Sequence, residues 1–292
     1  MNDLDDIAAL LAKPGPSAGA AERSRARLLH RARSRSRSRM HWFIPAGALI
    51  AAGAAAAVVL ATGMPANDRA PAATERFTGK EVLLMAAVSA ERTPQGSGTY
   101  WHVTTRWSKT EIPPIESWTR RDGKRWSRGE PGDAPDAVVA DWKTLRLKGA
   151  KVSFEELEKL PTDPEALKKW IIDRKGDKRD MTTSEQRGVP THPLLALITE
   201  LPAPSDVRAA AFKALAATPG VENEGPVDGG QHLRLPDPDG GSKPIELVVD
   251  PDTARVVRAN LVLAGDGDVA WSDEYISVTT EWTDLLPSVK KS

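Results

Sequence analysis

Five histidines, at positions 30, 41, 102, 192 and 232, are the first candidates for acid–base or metal chemistry, and their spacing supplies neither. No HExxH pair is present, so a zinc-hydrolase centre lacks its ligands. His102 falls in a strand-like stretch and reads as structural or surface. His192, just before Pro193 at a helix start, reads as a capping or exposed residue. Cysteine is absent, which removes thiolate nucleophiles, disulfides and Cys-ligated zinc together. The nucleophiles left are Ser, Thr and Lys, none with a base placed near it in sequence. The GxSxG, Walker and GxGxxG patterns are missing, and Gly96-Ser97-Gly98 is only a loop. Carboxylate pairs at 237/239, 250/252 and 266/268 have a spacing that calcium ligands use. A calcium loop opening at Asp237 would need Glu at its twelfth position, where Val248 stands. The pairs therefore read as the turn residues of PDPDGGSK, DPDTA and GDGD. No enzymatic activity, metal or cofactor is expected.

The residues left with something to do are aromatic. Eight of the nine tryptophans follow position 65. Trp101, Trp107, Trp118 and Trp126 build either the core face of a sheet or an apolar groove for an acyl chain or peptide, since such pockets are mostly apolar with few polar groups. The elements that position them are legible. Residues 99–110 (TYWHVTTRWSKT) read as a strand with Trp101, Val103, Thr105 and Trp107 on one face and Tyr100, His102, Thr104 and Arg106 on the other. Residues 115–121 and 124–128 form a hairpin tipped by Asp122-Gly123. A two-residue loop sends Trp118 and Trp126 to opposite faces. A three-residue loop with Gly123 left-handed sets them opposite each other, and this register is favoured because a slip exposes an indole.

Helix signals surround these strands. Thr78 and Glu81 have capping-box spacing for a helix reaching about Arg92, and Ser153 with Glu156 repeats it for a short helix ending near Leu160. Asp163, with Pro164 next, caps a third helix that reaches about Lys175. Residues 138–147 are ambiguous between strand and short helix, and 177–188 read as a polar, mobile surface loop. Helices follow at 194–201 and 206–217, then strands from 221 onward in an antiparallel meander. The domain at 77–288 is therefore expected to be α+β, an antiparallel sheet packed with helices.

What precedes this domain sets its place. Residues 42–64 (WFIPAGALIAAGAAAAVVLATGM) carry no charge, a length that matches one transmembrane helix. Residues 1–41 hold nine Lys/Arg against four Asp/Glu, and residues 65–292 hold 31 against 36. That asymmetry predicts a single-pass protein of the cell membrane with a basic cytoplasmic arm and the large domain outside. The segment is expected to be an uncleaved signal-anchor, because some forty residues precede it. Ala61-Thr62-Gly63 nonetheless has the small residues of a cleavage site. Residues 65–76, rich in Pro and Ala, read as a linker. Within the arm, Leu4, Ile7 and Leu11 share one helix face, either a frayed terminus or a peptide that folds onto a cytoplasmic partner. The RSRSRSR run fixes topology and attracts anionic lipid of the bilayer; no nucleic-acid binding is expected.

Three stretches are familiar together: LPTDPEAL from Leu160, VRAAAFKALAATPGV from Val207 and IELVVDPDTARVVRANLV from Ile245. With the acidic first helix, the Arg-rich segment and the single span, they resemble a family of actinobacterial single-pass membrane proteins found near sigma-factor genes, for which no activity is established. The resemblance implies a membrane-anchored envelope sensor or anti-sigma-like regulator, with a sigma factor or other regulator as cytoplasmic partner. A weaker similarity is to the periplasmic lipoprotein-carrier and sigma-regulator fold, a curved antiparallel sheet wrapped over helices. It implies the alternative, an anchored binding or carrier protein for an extracytoplasmic lipid, lipoprotein or peptide. Zinc-binding anti-sigma factors use a His and two Cys near the N-terminus. This chain has no Cys, so its arm would bind by packing and charge.

Overall fold

The structure is a computed structural model, and it describes residues 77–94, 96–108, 112–134, 136–263 and 269–289. The arm with Leu4, Ile7 and Leu11, the apolar segment 42–64, the linker and the Asp266/Asp268 pair lie outside them. Among the described residues no helix is long and apolar enough to cross a membrane.

The chain opens with α1 (Gly79–Arg92), which both halves of the capping box start: Glu81 N donates to Thr78 Oγ1 at 3.2 Å and Thr78 N to Glu81 Oε2 at 2.7 Å. Val82, Ala86 and Ala90 form one buried row and Leu83 and Ala87 another. A Cβ on Gly79 would meet Val221 and the Glu222 backbone at 2.8–2.9 Å, so the missing side chain lets this end sit against the sheet edge. The strands β1 (Tyr100–Trp107), β2 (Ile115–Arg120), β3 (Arg125–Arg128) and β4 (Val139–Asp141) then run as an antiparallel meander. A two-residue hairpin joins β5 (Arg146–Leu147) to β6 (Ala150–Lys151).

Five helices make up the middle of the chain: α2 (Phe154–Glu158), α3 (Pro164–Asp173), α4 (Thr183–Gln186), α5 (Thr191–Thr199) and α6 (Ser205–Ala216). The Ser153/Glu156 box and the Asp163 cap open α2 and α3 as expected. The segment 177–188 does not behave as a surface loop. It contains a 3-10 turn and α4, whose capping box uses Thr182 and Glu185, and both Ser184 and Glu185 are buried. The ambiguous stretch 138–147 resolves into two short strands. The second meander follows: β7 (Glu222–Val227), β8 (Gly230–Leu235), β9 (Ile245–Asp250), β10 (Arg255–Leu263) and β11 (Val269–Thr283).

The two meanders form one nine-stranded antiparallel sheet in the order β4-β3-β2-β1-β11-β10-β9-β8-β7. Strand β11 makes this possible. Val269 to Trp271 pair with β10, a register shift intervenes, and Ile276 to Thr283 pair with β1. One row of side chains then crosses five strands, Leu233–Leu247–Ala259–Ile276–Trp107. This row lies on the face that the helices cover. Helix α6, with Ala209, Ala210, Ala211, Phe212 and Ala214 all buried, is the centre of the helical layer and packs on α1, α3 and α5. Its small side chains let three neighbours approach one helix. The helices cover β7 to β11 and stop short of β1 to β4, and the space left there is a cavity.

Candidate functional site: the cavity between sheet and helices

The register of β1 against β2 decides what faces that space. Trp101 pairs with Thr119 and His102 with Trp118, so alternation turns Ser117 and Thr119 toward the helices and Trp118 away from them. The hairpin to β3 follows the expected three-residue loop, with Gly123 at φ +84° and Trp118 opposite Trp126. Arg125 and Ser127 are thereby brought to the inner face. The four tryptophans consequently do not share one groove. Trp101 and Trp107 face the helices; Trp118 and Trp126 face outward, which corrects the expectation of a single aromatic face. The outward indoles are sheltered by their neighbours. The His102 ring stacks on Trp118 with centroids 4.8 Å apart, Arg128 lies over the same indole, and the Tyr100 ring meets Trp126 edge-on at 5.8 Å. Trp118 is only 3% exposed on that outer surface. His102 is held there between Glu116 and Glu281, a structural role as expected.

Inside, the cavity has a volume of about 280 Å³. Val103, Trp107, Ile115, Ala196, Leu201 and Leu263 give it apolar walls from both meanders and from α5. Its polar lining is mostly paired. Lys143 Nζ lies 2.6 Å from Glu130 Oε1, Arg146 is bonded to Asp180, and Arg125 is bonded to Asp141. Lys148 is buried, its ammonium donating to the Ile172 carbonyl oxygen, and burial holds its pKa below the usual lysine value. Glu185 is buried as well; its Oε2 accepts the Thr182 N–H at 2.7 Å, and burial raises its carboxyl above the ordinary range.

Glu200 differs from these. It caps the C-terminal end of α5, and its own carbonyl accepts the Trp101 Nε1–H at 2.7 Å, which ties the helix end to β1. Its side chain lies in the cavity wall, where Oε1 accepts the Leu263 N–H at 3.1 Å. Burial pushes this carboxyl up to about 7, against the opposing pull of that N–H and of Arg125. No cationic side chain among the described residues is bonded to it.

His192, expected from its place before Pro193 to be a capping or exposed residue, is neither: it lies inside the first turn of α5, and no side chain caps that helix. His192 is 1% exposed, and burial lowers its pKa. Its Nδ1 lies 3.3 Å from both Thr182 Oγ1 and Ser184 Oγ and 4.0 Å from Asp239. His192, Asp237 and Asp239 bring ligand-type atoms within 4.8 Å of one another. These groups are committed to the fold. Asp237 accepts the Asp239 and Gly241 N–H groups at 2.8 and 2.9 Å, and Asp239 accepts the Ser184 N–H. The turn chemistry read from PDPDGG is thus present, and it also clamps α4 to the β8–β9 connection. At the next turn, Asp250 accepts the Asp252 N–H and the Thr253 hydroxyl.

Of the four tryptophans singled out from the sequence only Trp107 lines the cavity, Trp101 being bonded to the Glu200 carbonyl beside it, and Glu200, Arg125, Lys148 and Glu185 were missed. One local signal was available: Glu200 is the acid that ends the apolar run LLALIT. Comparisons with protein-family models, curated proteins and solved structures return no match.

Proposed function

We propose that this chain is a membrane-anchored binding protein that works as a sensor, taking a small amphiphilic ligand in the cavity of its outer domain. The single observation that carries the reading is the cavity itself. It lies where the helical layer ends, has apolar walls, and is lined by polar groups that the β2–β3 hairpin turns inward while its tryptophans turn out. A pocket of mixed lining at the junction of two layers is where small molecules are usually held. The anchor comes from the charge asymmetry and apolar length of residues 1–64, and the regulatory part from the family resemblance. In that scheme the Leu4/Ile7/Leu11 face engages a cytoplasmic regulator such as a sigma factor. Binding rather than catalysis fits the site. Ser184, Thr182 and Asp239 all approach the same nitrogen of His192, so no relay passes a proton from a hydroxyl through the ring.

A second reading, a carrier for lipid or lipoprotein, draws support from the apolar walls and from helices laid on one face of a single antiparallel sheet. The two readings share the cavity and differ in what the arm does. Octanol, a short neutral amphiphile, tests the shared part. The full chain in phosphatidylcholine nanodiscs is expected to bind it saturably, changing the tryptophan emission, with empty discs as reference. Ala196→Phe, which fills the cavity, is expected to abolish that change while the circular dichroism stays intact. Absence of saturable binding to the unsubstituted chain would sink both readings.

A further inference from the structure

The cavity lining divides by how its charges are balanced, and this division names a class of ligand. Three inward-facing cations already have carboxylate partners: Arg125 with Asp141, Lys143 with Glu130 and Arg146 with Asp180. The fourth, Lys148, is spent on the Ile172 carbonyl at the α3 end. On the acidic side, Glu130 and Asp180 are used in those pairs. Glu185 is buried in its helix cap with Oε2 on the Thr182 N–H. Glu200 is left over. It stands between Leu201 and Ala196 of the helix side and Leu263 of the sheet side, and one of its oxygens accepts a backbone N–H. Among the described residues the other has no hydrogen-bonding partner and Glu200 has no ion pair. Arg125, whose charge reaches it, is itself bonded to Asp141. A carboxyl beside apolar walls is costly to ionise unless a cation joins it.

We propose that the ligand is an amphiphile bearing a primary ammonium group, which donates to the open oxygen of Glu200 while its apolar part lies along Val103, Ile115, Leu201 and Leu263. The inference rests on the cavity reading above and adds the charge of the ligand. The geometry disfavours the opposite choice: an anionic head would have to compete with a carboxylate for three of the cations, or draw on Lys148, which is buried with its ammonium already donating to the Ile172 carbonyl oxygen. A neutral head leaves the Glu200 oxygen without a donor as strong as an ammonium. The raised pKa of Glu200 fits a group whose partner arrives with the ligand.

Octylammonium, octanol and octanoate share one chain and differ in head-group charge, so they separate the alternatives. Each is titrated against the full chain in nanodiscs at about pH 8, where an alkyl amine is still protonated. Octylammonium is expected to bind about tenfold more tightly than octanol, a preference of the size one charge-assisted hydrogen bond supplies. Octanoate is expected to bind most weakly. Glu200→Gln is expected to bring octylammonium down to the level of octanol. If Glu200→Gln fails to fold, the ranking of the three compounds on the unsubstituted chain still decides. Octanol binding with no preference for octylammonium, or a preference for octanoate, overturns the ammonium assignment alone. Failure of all three to bind overturns the cavity reading and this assignment with it. A preference for octylammonium that survives in a folded Glu200→Gln chain overturns the role of Glu200.

Discussion

Burial pushes the Glu200 carboxyl up to about 7 in the folded domain, against an ordinary value of 4.5. In the window between those values the folded chain keeps a proton that the unfolded chain has released. The folded state's advantage from this group is therefore fully present below about pH 4.5 and is lost as pH rises through about 7. Glu200→Gln removes the effect. The stability difference between variant and parent is expected to change with pH by up to about 1.4 kcal/mol per unit inside the window and to level off on either side. Urea midpoints for both chains at several pH values measure it; parallel curves would contradict the assignment. Beyond its place at the end of LLALIT nothing local announces this environment, since the Leu263 N–H that Glu200 accepts lies 63 residues away. The same holds for His192, which reads as an exposed helix start until α4 and the Asp237–Gly241 turn close over it.

Elements whose instructions are local were legible, and those whose instructions are distant were not. Capping boxes at Thr78 and Ser153, the Asp163-Pro164 start and the Gly123 turn each lie within four residues, and each forms as read. Helix α4 has the same Thr182/Glu185 box inside a polar stretch, but its burial depends on Asp239, 55 residues on. Composition pointed the wrong way there. The split of the tryptophans has a similar cause. Turn chemistry sets β3 against β2, whereas a longer connection between β1 and β2 carries no such signal, and that pairing alone decides which face Trp118 takes. For the local class the cost of a change can be stated. Thr78→Ala removes the acceptor for the Glu81 N–H at the start of α1, where Gly79 already sits tight against β7. A loss of about 0.5–2 kcal/mol is expected, read as a lower urea midpoint with an unchanged denaturant slope. An unaltered midpoint would mean the box is satisfied by water equally well.

At the scale of the whole molecule, β11 joins two meanders that would otherwise be separate sheets, and the cavity takes walls from both. A ligand there touches the strands that follow α1 and the strands that end the domain, so binding stabilises their junction as a unit. For a sensor this is useful only if the domain and the basic arm lie on opposite sides of a bilayer, and that arrangement has a direct test. The chain has no cysteine, so a single introduced thiol reports its own position. Leu285 is 79% exposed near the end of the described chain, and Ser36 lies in the arginine-rich run that the proposed topology puts in the cytoplasm. In intact spheroplasts a membrane-impermeant maleimide is expected to label Leu285→Cys and to leave Ser36→Cys unlabelled until the cells are lysed. Labelling of Ser36→Cys in intact spheroplasts would invert the topology. Protection of Leu285→Cys would place the cavity inside the cell, where an envelope ligand could not reach it. Either result would leave the cavity chemistry standing and remove the route by which it could signal across a membrane.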